Sequence, residues 1–433
     1  MKAIRRFASS IAVIGVIVGS GSIANAKTVP QCAPVATATC DPQGNPLNPA
    51  TPPPLGNASG SKAPTTSSSG TASLVPLTYG LLSTQVSQQS GLGNISDPSI
   101  IQMSDGSLRM FFLNGNEQQA GITGNDNLVH SFLSTDNGKS WTLESGVRMT
   151  VQSPVSVNAI NGSFEGWGWY HQPGGDQLTH FTSANGKDFT QVGASAVTTS
   201  ACKSSAGVSA AHLGDPQMVK VASGYIAFAH DSGNQTSPPF TRFVCGLTST
   251  DGNTWTVDAG KTVSLSTDIQ TNPETYRNRS GVIEQILPID TSAAGGRKVG
   301  MQVRTSTNDG ATWSSLSELS FFAADPDRLD LANGDSLLAF GNFDPRKGGL
   351  LAVTKKISTK YKASRVTSGQ TGVVWTISGA KKAEIKLKNL CLGVDVTSKA
   401  KFATSGANVK VTYSDSVGSG CVYAVIGAVQ AIQ

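Results

Sequence analysis

The 433-residue chain is poor in charged side chains, which make up 14% of it, and in aromatic side chains, which make up 6%. The charged share is about half of the quarter that is usual in globular proteins, which excludes a coiled coil, a charge-rich disordered protein and most helical bundles. No C-x-x-C pair occurs, which argues against a zinc ribbon and a thioredoxin-type redox site. No apolar run of about 18 residues occurs either, and we therefore expect no transmembrane segment.

Glycine is abundant instead, with 47 residues, and serine and threonine are frequent. This composition is typical of proteins in which many short strands are joined by turns. The length suggests two or three domains with enough apolar residues for a sizeable core. We therefore expect an all-β protein.

The N-terminus predicts an export signal. The first six residues carry three basic side chains, an apolar segment spans 11–18, and the sequence Ala-Asn-Ala ends at Ala26. This order is typical of a signal peptide with its cleavage site. We expect residues 1–26 to be removed and the mature chain to be secreted, periplasmic or displayed on the cell surface. Residues 27–74, rich in Pro, Ser and Thr, predict a linker.

The six cysteines agree with an oxidising compartment. Six cysteines allow fifteen connectivities, and pairing between sequence neighbours is the simplest. It gives Cys32–Cys40, Cys202–Cys245 and Cys391–Cys421 as expected structural disulfides.

Residues 75–360 contain a repeat. Each copy has a proline followed eight positions later by a glycine, and the prolines are 53–62 residues apart: Pro98, Pro154, Pro216, Pro273 and Pro326. The clearest copies predict a strand, a tight turn and a second strand, which is a β-hairpin. A repeat of about 50 to 60 residues with about four strands is typical of one blade of a β-propeller.

A second repeated element has the form Ser-x-Asp-x-Gly-x-Ser/Thr-Trp, most clearly at 134–141, and a degraded copy lies at 182–189. Short polar side chains bond the backbone of such a turn, glycine supplies a positive φ, and the aromatic ring packs beneath. We predict a structural role for the members of three copies: Ser134, Asp136, Gly138 and Trp141; Asp251, Gly252 and Trp255; Asp309, Gly310 and Trp313.

This second element resembles the Asp box, or BNR repeat, of sialidases and related propellers. The Asp-Pro hairpins, Asp97-Pro98 especially, resemble the inner strands of five-bladed glycoside hydrolases of the arabinanase and β-xylosidase type. The resemblance covers about residues 75–360 and implies a β-propeller. These 286 residues give 57 per blade for five blades and 48 for six, so the spacing favours five blades, with six as the alternative. We expect residues 75–86 to complete the fifth blade, which would remove exposed edges.

Candidate functional residues lie where the inner strands begin, near the axis of a propeller. Asp97, Asp215 and Asp325 precede the repeat prolines, and Glu274 and Asp327 follow the prolines directly. A period of two predicts that Asp327 shares a face with Asp325. Carboxylates that meet at one axis suit glycoside hydrolysis, which uses one as acid and one as base or nucleophile.

The resemblance to arabinanases implies that Asp97 is the general base and that Asp215 tunes the pKa of the acid. It implies a glutamate as the acid, but Asn272 occupies the equivalent place and Glu274 is the nearest carboxylate. The alternative is that Asp-Pro only caps the start of each strand.

Five further residues are candidates for substrate binding: Trp169, His212, Arg277, Asp325 and Asp327. A Trp side chain can stack on a sugar ring, but Trp169 can equally pack between blades. His212 can join a central metal or hydrogen bond, or serve structure alone. Arg277 is among the arginines that a sialidase would need for its substrate carboxylate, although the Arg-Ile-Pro element that opens many sialidases is absent.

Residues 361–433 lack the repeat and predict a small β-sandwich-like module. Residues 355–410 carry 12 lysines and arginines against two acidic residues, Glu384 and Asp395. The propeller itself is therefore acidic, which argues against nucleic acid and for a weakly charged glycan as its partner. The basic module could attach the protein to an anionic envelope.

Two functions follow from the sequence. The first is an exported carbohydrate-active propeller, a glycoside hydrolase of the sialidase or arabinanase type that acts at the central channel. The second is a non-catalytic propeller for glycan binding or adhesion. No cofactor or metal is predicted, and a structural or central cation is left open.

Overall fold

The computed structural model describes residues 74–432 except for 87–91, 94, 116–123, 152–154, 173–174, 232–242, 264–268, 271–272, 292–296, 320–323, 343–349, 359, 365, 370–371, 390–393, 415–421 and 426–429. The expected signal peptide and almost all of the linker lie outside the described residues. So do Cys32, Cys40, Cys391 and Cys421. Within the described part, no helix is long and apolar enough to cross a membrane.

Five antiparallel sheets follow one another along the chain. Before them come β1 (Leu74–Pro76) and β2 (Tyr79–Val86). Blade 1 contains β3 (Ile95–Gln102), β4 (Leu108–Asn114), β5 (Val129–Ser134) and β6 (Thr142–Leu143). Blade 2 contains β7 (Val155–Ile160), β8 (Ser163–Gln172), β9 (Gly175–Ser183) and β10 (Thr190–Val197). Blade 3 contains β11 (Leu213–Val221), β12 (Gly224–Asp231), β13 (Val244–Ser249) and β14 (Thr256–Val257).

Blade 4 contains β15 (Ile269–Gln270), β16 (Glu274–Arg277), β17 (Ile283–Thr291), β18 (Arg297–Ser306) and β19 (Ser317–Leu319). Blade 5 contains β20 (Ala324–Asp330), β21 (Ser336–Asn342) and β22 (Leu350–Lys356). In the part of the chain that the structure describes, four 3₁₀ turns of three residues each lie in the connections, at Thr199–Ala201, Ala259–Lys261, Lys382–Glu384 and Thr397–Lys399.

The fifth blade takes its outer strand from the N-terminal side of the first blade. Strand β2 pairs antiparallel with β22, from Tyr79 opposite Lys356 to Val86 opposite Leu350. The sheet order is therefore β2-β22-β21-β20. This confirms the expected closure and the five-bladed propeller, and the six-bladed alternative is wrong.

The C-terminal strands lie in two sheets, one of which continues the sheet of blade 4. They are β23 (Lys362–Ser364), β24 (Val366–Gly369), β25 (Gly372–Ser378), β26 (Leu387–Asn389), β27 (Val394–Asp395), β28 (Lys401–Ser405), β29 (Asn408–Ser414), β30 (Val422–Val425) and β31 (Gln430–Ile432). Strands β26, β27, β30 and β31 make a separate sheet, and β23, β24, β25, β28 and β29 belong, together with β1, to the eleven-stranded sheet that contains blade 4. Trp375 from one sheet and Leu387 from the other share a buried core, so the module is sandwich-like, as predicted.

The module joins the propeller through backbone pairing. Strand β24 pairs with β18 of blade 4, with Ser368 opposite Arg297. The core of the module is continuous with Phe340 of blade 5 and Met301 of blade 4. The module thus extends the fourth blade sideways.

The repeated Ser-x-Asp turns have the predicted structure. In blade 1, Ser134 Oγ accepts a hydrogen bond from the Gly138 nitrogen at 2.9 Å, and Asp136 accepts from the Ser140 nitrogen at 2.9 Å. Gly138 has a φ of +84°, a conformation that glycine adopts without steric cost. Hydrogen bonds from Ser140 lower the pKa of Asp136 to about 2, and Trp141 is buried beneath the turn.

Blade 3 repeats this arrangement and blade 4 modifies it. Asp251 accepts from the Thr254 nitrogen at 2.7 Å, and Trp255 is 4% exposed. In blade 4 the carboxylate position belongs to Asn308, which accepts from the Thr312 nitrogen at 2.9 Å. Asp309 lies one residue further on and accepts a hydrogen bond from outside the turn, from the Ala222 nitrogen.

Each turn also contacts the preceding blade. Asp309 of blade 4 accepts from the Ala222 nitrogen of blade 3 at 3.0 Å. Trp167 of blade 2 donates from Nε1 to the Gly252 oxygen of blade 3 at 2.9 Å. Arg109 of blade 1 donates to the Asn185 oxygen of blade 2 at 3.2 Å. The turns therefore hold neighbouring blades together.

The turns lie at the end of each sheet that is opposite to the start of its inner strand. In blade 1, Ser134 pairs with Leu108 and Leu108 pairs with Gln102, the last residue of β3. In blade 3, a disulfide joins Cys202 to Cys245, as predicted. The other two predicted disulfides involve residues outside the described part of the chain.

Replacing Ser134 by Ala tests the turn as a source of stability. The change removes the acceptor of the Gly138 nitrogen and leaves a buried donor unpaired, which costs about 1–3 kcal/mol. We expect the free energy of unfolding, measured by urea titration, to fall by that amount. The exposed Ser315→Ala is the matched control and should change it by less than about 0.5 kcal/mol. Equal stability of the two variants would contradict the role of the turn.

Candidate functional site

Three inner strands begin with the same strained bend. Asp97, Asp215 and Asp325 have φ values of +54°, +49° and +47°, which is uncommon outside glycine and is tolerated best by Asp and Asn. A proline follows each of them, and a proline nitrogen has no hydrogen to give to the sheet. The pairing with the second strand shifts at this point in all three blades, so each bend is a β-bulge.

The bulges turn the three carboxylates toward one another. One oxygen from each lies within 4.8 Å of the other two. The same carboxylates line a cavity. Each of the five blades adds one further residue near the start of its inner strand: Pro98, Val155, Gln217, Pro273 and Pro326. The cavity therefore lies on the propeller axis. Its volume is about 10 Å³, which is about the space of one water molecule or ion.

Neighbouring side chains orient the carboxylates. Ser96 donates a hydrogen bond from Oγ to Asp97, and His230 Nδ1 lies 2.9 Å from an oxygen of Asp215. A glycine allows the close approach in blade 5, since a Cβ at Gly341 would lie 3.1 Å from the Asp97 nitrogen and 3.4 Å from Asp325 Oδ2. His230, Gln217 and Gly341 were not predicted as site residues.

Around the cavity, four hydrogen bonds among the described residues join the inner strands of four of the five neighbouring blade pairs; we call this set the inner ring. Its acceptors are side chains of one blade and its donors are backbone nitrogens of the next. Ser99 accepts from Val157 at 3.0 Å, and Ser156 accepts from Met218 at 3.3 Å. The other two bonds are made by Glu274, which accepts from Arg328 at 3.0 Å, and Asp327, which accepts from Ile100 at 3.2 Å.

Glu274 and Asp327 thus lie in the interface between blades. They are 2% and 6% exposed, and neither is among the residues that line the cavity. Burial raises the pKa of Glu274 well above its usual value, and the neighbouring Asp327 carboxylate adds to the shift. Burial likewise raises the pKa of Asp327 to about 7. The structure brings Asp97 and Asp215 together but does not bring Glu274 to them.

The expectation that Asp327 shares a face with Asp325 is wrong. The period of two fails because the bulge shifts the pairing between Ala324 and Asp327. Of the two, only Asp325 lines the cavity.

The remaining predicted substrate residues lie away from the cavity lining. Trp169 is fully buried in a core shared by blades 2 and 3. His212 is half exposed, with Nδ1 3.0 Å from an oxygen of Asp176. Arg277 pairs with Asp309 of the following strand connection at 2.8 Å and donates to the Lys220 oxygen of blade 3 at 2.9 Å.

Fold and cavity together define a five-bladed β-propeller with an acidic axial site. No protein-family model matches the chain, and no curated protein sequence is similar to it. Solved structures of similar fold include a protein of unknown function from Dyadobacter fermentans, with a TM-score of 0.43 and 14% identity over 80% of this chain and 99% of that chain.

Two further similar structures are enzymes. An α-L-arabinofuranosidase from Fusarium graminearum has a TM-score of 0.44 and 10% identity over 66% of this chain and 98% of its own. An endo-arabinase from Bacteroides thetaiotaomicron has a TM-score of 0.43 and 14% identity over 64% of this chain and 98% of its own. These likenesses assign no reaction to this chain.

The buried carboxyl of Asp327 predicts a pH-dependent stability. Its pKa in the folded protein is about 7, against 3.8 when it is not perturbed. The protonated form therefore stabilises the fold fully below about pH 4, and that stabilisation is lost as the pH rises through 7, at about 1.4 kcal/mol per pKa unit. Glu274, with its pKa also raised, acts in the same direction.

We expect Asp327→Asn to flatten the dependence of unfolding free energy on pH between 4 and 8, because asparagine keeps an acceptor for Ile100 and has no charge to bury. Denaturant titrations at several pH values measure it. The exposed Asp188→Asn should leave the wild-type profile unchanged, and an unchanged profile in Asp327→Asn would refute the assignment.

Proposed function

We propose that this chain is a carbohydrate-active propeller, a glycoside hydrolase that acts at the axial cavity with carboxylates drawn from Asp97, Asp215 and Asp325. The observation that carries the proposal is the convergence of these three side chains from blades 1, 3 and 5, with oxygens within 4.8 Å of one another. Glycoside hydrolysis needs two such groups on either side of one bond.

A second candidate is glycan binding without catalysis. It is supported by Glu274, the residue nearest to the acid that the resemblance implies, because Glu274 is 2% exposed and its carboxylate bonds the backbone of blade 5. A propeller that had lost its acid could still bind a glycan at the same opening.

The proposed setting is outside the cytoplasm. The signal pattern of residues 1–26 supports export, and the Cys202–Cys245 disulfide agrees with an oxidising compartment. The C-terminal module exposes basic side chains, including Lys386, Lys388 and Lys401. We propose that they attach the protein to an anionic polymer of the envelope.

A substrate screen tests the hydrolase. Aryl arabinofuranosides, xylosides and sialosides and the corresponding polysaccharides are assayed with wild type, Asp97→Asn, Asp215→Asn and Glu274→Gln. We expect one substrate class to be cleaved, and Asp97→Asn and Asp215→Asn to lower kcat/KM by about 10²–10⁴-fold. Asparagine also accepts the positive φ at both positions, so the fold is kept.

Glu274→Gln separates the two assignments of the acid. A loss of about 10²-fold or more would return the acid role to Glu274, and near wild-type activity would leave it to the axial carboxylates. Full activity in Asp97→Asn and Asp215→Asn would overturn the axial site. If no glycan is cleaved but one is bound, the second candidate replaces the first.

A further inference from the structure

One sheet of the C-terminal module has an inner face and an outward face of opposite character. Strands β28, β29, β25 and β23 lie side by side in that order. Trp375 of β25 and Val411 of β29 are fully buried in the core of the module. Side chains alternate between the two faces of a strand, so the residues next to them, Thr376 and Lys410, lie on the outward face.

Three lysines form a diagonal row across this outward face, and we call it the lysine row. Lys401 of β28 lies opposite Thr412, which is two residues from Lys410 in β29. Ser378, two residues beyond the partner of Lys410 in β25, lies opposite Lys362 of β23. Strands are about 4.8 Å apart and rise about 3.4 Å per residue. Successive lysines are therefore about 8 Å and about 12 Å apart, and the row spans about 20 Å.

The protein does not compensate the charge of the lysine row. Lys362 and Lys401 are exposed and Lys410 is half-buried. Among the residues that the structure describes, none of the three forms an ion pair, whereas Lys355 pairs with Asp335 at 2.8 Å. The other outward residues of these four strands are uncharged, and most of them carry a hydroxyl or an amide group.

The lysines of the separate sheet differ in this respect. Lys388 of β26 lies directly opposite Asp395 of β27, so the two charges lie on one face. Hydrogen bonds from Thr397 and, to a lesser degree, the charge of Lys386 lower the pKa of Asp395. The Asp395 carboxylate thus offsets part of the charge of Lys386 and Lys388, while no carboxylate offsets the lysine row.

A row of exposed charges fits a polymer better than a small anion. One exposed ion pair strengthens binding by at most about fivefold, so a single anion would be held weakly. Three pairs made by one chain reinforce one another, because the second and third form at a high effective concentration. The span of about 20 Å therefore fits an extended polyanion.

The chemistry of the face favours a polysaccharide over a membrane or a nucleic acid. The outward residues of these four strands include no arginine and no aromatic residue. Single-stranded nucleic acid is bound largely by aromatic stacking and arginine, and membrane surfaces by apolar side chains inserted into the bilayer. Hydroxyl and amide groups beside the lysines, such as those of Thr376, Thr412 and Asn408, can bond sugar hydroxyls.

We propose that the lysine row binds an acidic polysaccharide, a polymer of sugars that carry carboxylates, laid across strands β28, β29, β25 and β23. The inference rests on the attachment to an anionic polymer proposed above, and it adds the face and the chemistry of the partner. The same sheet continues into blade 4 through the pairing of β24 with β18, so the polymer is held beside the propeller.

Binding of fluorescently labelled polygalacturonate to the full chain, measured by anisotropy, tests the proposal. The fully methyl-esterified polymer has the same backbone without charge and is the matched ligand control. We expect polygalacturonate to bind and the ester to bind at least about tenfold more weakly, since it makes none of the three ion pairs. Added NaCl should weaken the binding of polygalacturonate, because salt screens exposed charges.

Two double variants with the same loss of charge locate the binding face. Lys401→Gln/Lys410→Gln should weaken polygalacturonate binding by about 3- to 30-fold, since each lost exposed pair is worth up to about fivefold. Lys386→Gln/Lys388→Gln should weaken it by less than about twofold, because Asp395 already offsets those charges. Thermal unfolding checks that both variants are folded.

Three results would overturn the proposal. They are an equal loss of affinity in the two folded double variants, equal binding of the ester, and tighter binding of phosphatidylserine vesicles or DNA than of polygalacturonate. An equal loss in the two variants would remove only the assigned face, whereas a wild type that bound no polyanion would remove the proposed attachment as well. None of these results bears on cleavage of a glycan, which the substrate screen decides separately.

Discussion

The structure depends on the way the innermost strands satisfy their backbone groups. Each is an edge strand of its own sheet, so half of its nitrogens and oxygens have no strand partner, and near the axis they are buried. The inner ring meets this need by giving the nitrogens of Ile100, Val157, Met218 and Arg328 a side-chain acceptor from the adjacent blade. Two of these acceptors are carboxyls, Glu274 and Asp327, in a place where ionisation is unfavourable. The ring thereby positions the bulges that aim the axial aspartates.

At the opposite end of the sheets from the inner ring, the Ser-x-Asp turns also join neighbouring blades; we call these bonds the outer contacts. Asp309 and Asn185 lie in turns of their own blades and bond the blade before them. Arg277 also belongs to these outer contacts. It is the last residue of β16, the inner strand of blade 4, and its side chain pairs with Asp309. The residues that hold neighbouring blades together are therefore as polar as the residues of a catalytic site. Only their location in the fold distinguishes structural residues from catalytic ones.

Much of the fold could be predicted from the sequence because the repeat carries its own turn chemistry. The spacing of the prolines gave the blade length, and residues 75–86 were expected to complete the fifth blade, where β2 indeed pairs with β22. The sequence also predicts the three axial aspartates, because the same Asp-Pro pair occurs at the same bend in each strand: Asp97, Asp215 and Asp325. Asp327 was assigned to the wrong face because a bulge interrupts the alternation of side chains, and a bulge has no sequence period of its own.

His230 and Gln217 were missed for a different reason. His230 meets Asp215 only through the pairing of β11 with β12, where Gly214 lies opposite His230. Counting back from the turn at Gly224 would have aligned the two, which is a signal that the sequence does carry. Gln217 looks like an ordinary strand residue in the sequence, and only the folded structure places it at the cavity. The position of an aspartate at the propeller axis therefore does not predict whether the residue two positions later also lines the cavity.

The strand exchange that closes blade 5 has a consequence for how the protein is made. Strand β2 pairs with β22, with Tyr79 opposite Lys356, and nearly the whole propeller lies between these two strands in the sequence. Closing so long a segment costs conformational entropy, and such non-local pairing slows folding. Until it happens, β22 presents an open sheet edge, which is the feature that promotes association between unfinished chains. The last blade is therefore where misassembly would begin.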